Sequence, residues 1–258
     1  MAGLSALTIG WQSLMLNAIE FYYTKGRYCI VYRLISVLMF VCMFAIVSFS
    51  VPEDSYAGED ASEESRIPGW FRVDTDALGT HFLIGATHSV GGVAVESNIF
   101  IDDTLGEFDL GVSIPAVKSD SFSLTLLPML GLGFDYKAPD GPSAVFPHLF
   151  VFLAAGKFFF KSWTIGTLYS VFDDERDNEV YTRNYLTYSL NRTVAVGPQF
   201  ETVVGLGDES IVFSQIFGAR INIGYGENNT LGILAGYDTK KTDEQSGLTG
   251  RLSFTRRW

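Results

Sequence analysis

Phe122-Ser-Leu-Thr-Leu-Leu-Pro-Met-Leu-Gly-Leu-Gly-Phe-Asp-Tyr136 is the stretch that decides the fold. Phe122, Leu124, Leu126, Pro128, Leu130, Leu132, Phe134 and Tyr136 share one parity, and Ser123, Thr125, Leu127, Met129, Gly131, Gly133 and Asp135 share the other. Successive side chains of an extended chain point to opposite faces, so this is a strand with one continuous greasy side. Three further segments repeat the pattern. Phe108, Leu110, Val112 and Ile114 oppose Asp109, Gly111, Ser113 and Pro115; Ala219, Ile221, Ile223 and Tyr225 oppose Arg220, Asn222 and Gly224; Leu231, Ile233, Ala235 and Tyr237 oppose Gly232, Leu234, Gly236 and Asp238.

The second face separates two kinds of all-β protein. A soluble sandwich turns its apolar face inward and covers the outer one with long polar side chains. Here the second face carries glycines and isolated charges, which suits an enclosed, crowded or wetted lumen with hydrocarbon outside. Closure also pairs every amide and leaves no sheet edge, as a bilayer demands. Segments of about 9 to 11 residues match a tilted membrane strand.

Outward from Tyr136 the texture stays uniform between Gly69 and Trp258, with Val-, Ile-, Phe-, Tyr- and Gly-rich segments separated by polar clusters. Ten strands are expected near 248–258, 230–238, 211–225, 194–206, 180–190, 158–172, 144–155, 122–136, 107–117 and 93–101. Weaker segments at 79–89 and 69–76 raise the count to twelve, an even number, which is preferred over ten. The fold class predicted is a single closed antiparallel transmembrane β-barrel of twelve strands over residues 69–258. Short connections at 118–121, 156–157, 191–193 and 226–229 alternate with longer ones at 137–143, 173–179 and 239–247, which assigns the short turns to the periplasm.

Residues 1–57 have a different character. Lys25, Arg27 and Arg33 precede the uncharged run Leu34–Val51, and Ser55-Tyr-Ala57 follows it. That order is the layout of a signal peptide helix cleaved after Ala57, with a long n-region compatible with a start downstream of Met1. A retained membrane helix is the competing reading, since the run has the length to span a bilayer. Residues 58–68 form an acidic, flexible lead segment. Both cysteines, Cys29 and Cys42, fall within the leader, so the mature chain has no thiol to mispair in an oxidising compartment. The leader holds three bases (Lys25, Arg27, Arg33) and three acids (Glu20, Glu53, Asp54), so its loss leaves the net charge at -11. So acidic a chain is unsuited to nucleic acid.

The last segment, Leu248-Thr-Gly-Arg-Leu-Ser-Phe-Thr-Arg-Arg-Trp258, resembles the C-terminal assembly signal of bacterial outer-membrane barrel proteins, with Leu252, Phe254 and Trp258 on one parity and Arg256 where an apolar residue is usual. The resemblance implies a porin-like or structural surface barrel in the outer membrane, surrounded by outer-membrane lipids and inserted by the barrel assembly machinery. A monomer is expected, with small ions or polar solutes as its cargo.

Glu96, Asp109, Asp135, Glu201, Arg220, Asp238 and Arg251 occupy the face opposite the lipid and are the expected lumen charge network. Buried charges of both signs need partners, and their acidic excess points to a cation-preferring pore or a plugged barrel. An enzyme acting on lipid or peptide is the alternative, as is a soluble secreted barrel. His88 and Ser89 could suggest a hydrolase, but adjacent strand residues point apart. Asp173–Glu179 could hold calcium but reads more simply as a solvated loop. No metal cluster, cofactor motif or catalytic motif is expected. Tyr136, Trp163, Tyr169, Tyr181, Tyr225, Tyr237 and Trp258 near strand ends are candidates for aromatic girdles.

Overall fold

The computed structural model describes residues 67–258 apart from 78, 138–140, 208–209 and 241–246. The expected leader and cleavage site, and the expected lead segment up to residue 66, lie outside the described residues. The chain forms β1 (Gly69–Asp76), β2 (Gly79–Val90), β3 (Val93–Ile101), β4 (Leu105–Lys118), β5 (Phe122–Asp135), β6 (Ala144–Ala155), β7 (Phe158–Thr167), β8 (Asn178–Ser189), β9 (Val194–Leu206), β10 (Ser210–Tyr225), β11 (Asn229–Asp238) and β12 (Leu248–Arg257). Each pairs antiparallel with its chain neighbour, and β1 pairs with β12, which closes the barrel. The expected segment at 158–172 is the one that departs clearly: β7 stops at Thr167 and a 3-10 turn, Tyr169–Val171, follows.

One end of the barrel carries the start of β1, the end of β12 and the tight turns. Gly91 and Gly92 join β2 to β3 with φ of 56° and 81°, the backbone that a two-residue hairpin needs and that side chains resist. Asn191 Oδ1 accepts from the Thr193 and Val194 amides, 2.8 Å each, and folds the β8–β9 turn. Longer connections occupy the opposite end, after β5, β7 and β11.

Side chains sort by parity as expected. Phe82, Ile84, Ile99, Phe108, Leu110, Leu132, Phe134, Leu149, Phe217, Ile221 and Leu252 are exposed on the outside, a continuous apolar belt that a water-soluble globule would have to cover. Tyr136 and Tyr237 stand outward at the loop end, with Tyr225 and Trp258 at the terminal end. Trp163 and Tyr181 depart from the girdle expectation, because their register places them inside, facing His148 and Glu201. The β9–β10 register shifts at Val212/Ser214 and the β4–β5 register at Pro115/Val117, each marking a bulge.

Inside, the expectation of glycines and charges is met on β1, β4, β8–β12 and the loop-side half of β5, with Gly131, Gly133 and Asp135, but not on the rest of β5, β6 and β7. There Leu127, Met129, Phe150, Phe152, Phe159 and Trp163 line the lumen. β6, AVFPHLFVFLAA, is apolar on both faces, so no parity contrast marks its inner side.

Close strand contact depends on bare backbone at Gly197, where an added Cβ would overlap the Leu186 carbonyl oxygen of β8. Because backbone cannot yield as a flexible side chain does, Gly197→Ala is expected to destabilise the barrel by about 1 to 3 kcal/mol. The readout is the temperature at which the compact, detergent-resistant band converts to the unfolded one; an unchanged temperature would show that the two strands separate freely there.

Candidate functional site

Alternation on β1, β8, β9 and β12 aims Arg72, Asp74, Asp76, Tyr181, Arg183, Gln199, Glu201 and Arg251 at the lumen. Asp74 accepts from Arg72 Nε at 2.7 Å and Nη2 at 2.6 Å, and from Arg183 Nη1 at 3.2 Å. Arg251 Nη2 lies 2.9 Å from both Asp76 Oδ2 and Glu201 Oε2. Glu201 also accepts from Tyr181 Oη at 2.6 Å and from Gln199, and Arg183 Nε donates to Tyr181 Oη at 2.6 Å. Three acids thus meet three arginines, and Asp74, Arg183 and Glu201 are buried. In the closed order β1-β12-β11-β10-β9-β8, the Asp74–Arg183 bond joins strands five places apart in a ring of twelve. It therefore crosses the lumen, and these residues form a charged plate across it.

A second cluster stands on β4 and β6. His148 Nε2 lies 2.6 Å from Glu107 Oε1 and 3.3 Å from Asp109 Oδ1, all three buried. Gly131 leaves the space they occupy, since a Cβ there would meet both carboxylates. The donor set is one a metal could use, with ligand atoms within 4.8 Å of one another. Trp163 Nε1, however, donates to His148 Nδ1 at 3.1 Å, so the neutral ring carries its proton on Nε2 and presents N–H, not a lone pair, to Glu107. Among the described residues, neither Asp109 oxygen accepts a well-directed hydrogen bond, the Nε2–H being aimed at Glu107.

Below the plate, a cavity of about 570 Å³ reaches the terminal end. Among the described residues its lining combines the apolar β5–β7 wall with Arg72, Lys161, Arg220, Arg257 and one acid, Glu96.

Of the expected network, Glu201 and Arg251 belong to the plate and Asp109 to the histidine cluster. Glu96 lines the cavity, where it accepts from Thr87 Oγ1 at 2.9 Å. Arg220 donates to Gln199 Oε1 at 2.9 Å and Asn222 Oδ1 at 2.7 Å. Asp238 accepts from Ser214 Oγ and the Gln215 amide at the loop-side rim, and Asp135 accepts there from the Lys137 amide. His88 bonds Ser97 on the neighbouring strand at 2.9 Å, and Ser89 has the opposite parity. Sequence reasoning missed Arg72, Asp74, Asp76, Glu107, His148, Lys161 and Arg183. The parity rule that found Arg220 would have found Arg72-Val-Asp-Thr-Asp76 and Tyr181-Thr-Arg-Asn-Tyr185 had it been applied to β1 and β8.

Removing one buried charge strands its partners. Arg183→Met is expected to cost about 3 to 5 kcal/mol in urea unfolding of the detergent-solubilised barrel, and adding Asp74→Asn to recover part of it. Additive losses in the double variant would show that the two side chains are not coupled.

No family model matches the sequence, and no curated protein matches it. Among solved structures the chain is similar to the KdgM porin, at 10% identity over 74% of this chain and 99% of that one, with a TM-score of 0.46. OccK5 (OpdH) of Pseudomonas aeruginosa matches at 10% identity over 76% of this chain and 68% of that one, TM-score 0.46. The NanC porin matches at 10% identity over 74% and 98%, TM-score 0.43.

Proposed function

We propose that the chain is exported, loses its leader near Ala57, and stands in the bacterial outer membrane as a monomeric, narrow, porin-like channel for small ions and polar solutes. The observation that carries this reading is the inversion of an ordinary core: large apolar side chains cover the outside of a closed barrel, and ion pairs fill its middle. Leu252, Phe254 and Trp258 share the outward parity of the last strand, as recognition by the assembly machinery from the lipid side would require. The terminal end then faces the periplasm and the longer loops face outward.

The plate makes the path narrow, because Arg183 and Asp74 meet within it. It also changes the expected selectivity. The acids of the plate are matched by its arginines, Arg72 included, and the cavity below adds Lys161, Arg220 and Arg257 against Glu96 among the described residues. Anions are therefore favoured in that half, contrary to the cation preference expected from the acidic excess of the lumen charge network.

Two measurements test the proposal. Refolded protein in planar bilayers is expected to give small unitary currents with a reversal potential favouring chloride over potassium, and Arg183→Met to enlarge them by opening the plate; a folded barrel that passes no current would reject the channel. Leu110→Lys, in the middle of the apolar belt, is expected to lower folding stability in lipid by about 2 to 4 kcal/mol. Full stability of that variant in vesicles would show that the outer face does not meet hydrocarbon.

A further inference from the structure

The cavity is asymmetric in a way that transport of simple ions leaves unused. Lys161 Nζ stands 5.4 Å from the Phe150 ring centre and 5.3 Å from that of Phe152. Directly across the β7–β8 ladder is Tyr185, and the Arg220 guanidinium lies over its ring at 4.5 Å. Among the described residues, neither Lys161 nor Arg220 has a carboxylate at ion-pair distance; the acids of the plate are engaged with Arg72, Arg183 and Arg251, and Glu96 in the cavity lining accepts from Thr87. Besides the Tyr185 ring, Arg220 donates to the amide oxygens of Asn222 and Gln199, which orient it without cancelling its charge. Two basic side chains, neither with a carboxylate partner among the described residues, thus flank one tyrosine, next to a wall of rings.

That wall is ordered. Phe150 and Phe152 stack with 2° between their planes, and Phe150 and Trp163 with 11°. Such a surface accepts a flat apolar body through dispersion and area burial, whereas a hydrated inorganic ion gains nothing from it. A volume of about 570 Å³ lies in the range of cavities that enclose small organic ligands.

We infer that this cavity is a binding site for a small amphipathic anion, its acid group held between Lys161 and Arg220 and its flat apolar body laid on Phe150, Phe152 and Phe159. The inference names a solute class for the proposed channel and rests on that reading for its physiological meaning. Binding itself does not depend on conduction. A barrel that binds such an anion but passes no current would keep the site and lose the channel.

The test is equilibrium binding to the refolded barrel in detergent, read by quenching of the tryptophans that line the cavity, with naphthoate as probe. Naphthylmethanol supplies the same body without the charge, and acetate the charge without the body. Naphthoate is expected to bind saturably, at least ~10-fold more tightly than either comparator, because both halves of the site must be filled. Lys161→Met and Arg220→Gln are each expected to weaken naphthoate several-fold while leaving naphthylmethanol unchanged. Equal affinity for naphthoate and naphthylmethanol in the unaltered protein would overturn the inference, whether or not the variants fold. So would naphthoate binding that neither substitution alters, which is the behaviour of a probe dissolved in the micelle.

Discussion

Closure of the sheet is the constraint from which the rest of the structure follows. An open sheet of this sequence would leave a row of unpaired amides and carbonyls at each edge, tolerable in water and prohibitive in hydrocarbon. The β1–β12 ladder removes both edges, running from Trp70 opposite Arg257 to Asp76 opposite Arg251. It is tied off by reciprocal backbone bonds between Gly69 and Trp258, at 3.1 and 3.0 Å. The Trp258 ring lies where a Cβ on Gly69 would be, so a bare backbone at the first residue of the barrel makes room for the last.

Closure creates an interior, and the interior imposes its own chemistry. Inward-facing side chains are cut off from bulk water, so each charge must find a partner or stay hydrated in a cavity. Both solutions are present, separated along the barrel axis. Toward the loops, Asp74, Asp76 and Glu201 are consumed by Arg72, Arg183 and Arg251. Toward the end where β1 begins and β12 stops, space remains and the basic side chains Lys161 and Arg220 face it. Ion pairs that span the lumen hold opposite walls in one arrangement, a service that hydrophobic packing could supply only by filling the lumen.

Much of this was legible in the sequence, and the limits are physical. β11 could be read residue by residue, because Leu231, Ile233, Ala235 and Tyr237 contrast sharply with Gly232, Gly236 and Asp238. β6 could not, because its two faces differ little in hydropathy, and only the pairing of His148 with Met129 and Ile165 establishes which parity is inside. The lumen residues Glu201, Arg220 and Arg251 followed from parity alone. Their partners did not, since Arg183 and Asp74 stand 109 residues apart and meet only because the ring closes with the register it has. Local periodicity carries which way a side chain points; it carries nothing about what stands on the far wall.

The two halves of the lumen also depend on each other electrostatically. Had the plate kept an excess of carboxylates, Lys161 and Arg220 would sit in the field of those acids at low dielectric, where a charge acts over many ångströms. Matching three acids with three arginines leaves the plate close to neutral, so the field in the cavity is set by its own lining. The Glu107–Asp109–His148 cluster stands outside this balance, and Trp163 lies between its histidine and the guanidinium of Arg183, the ring centre 5.2 Å from the latter. The indole spends its only donor on His148 and offers Arg183 its π-face, a contact worth roughly 0.5 to 2 kcal/mol. A phenyl ring there would keep the face and lose the donor, and a polar side chain would do the reverse. Tryptophan does both, which is why one inward-facing residue on β7 can join the cluster, the plate and the wall of the cavity.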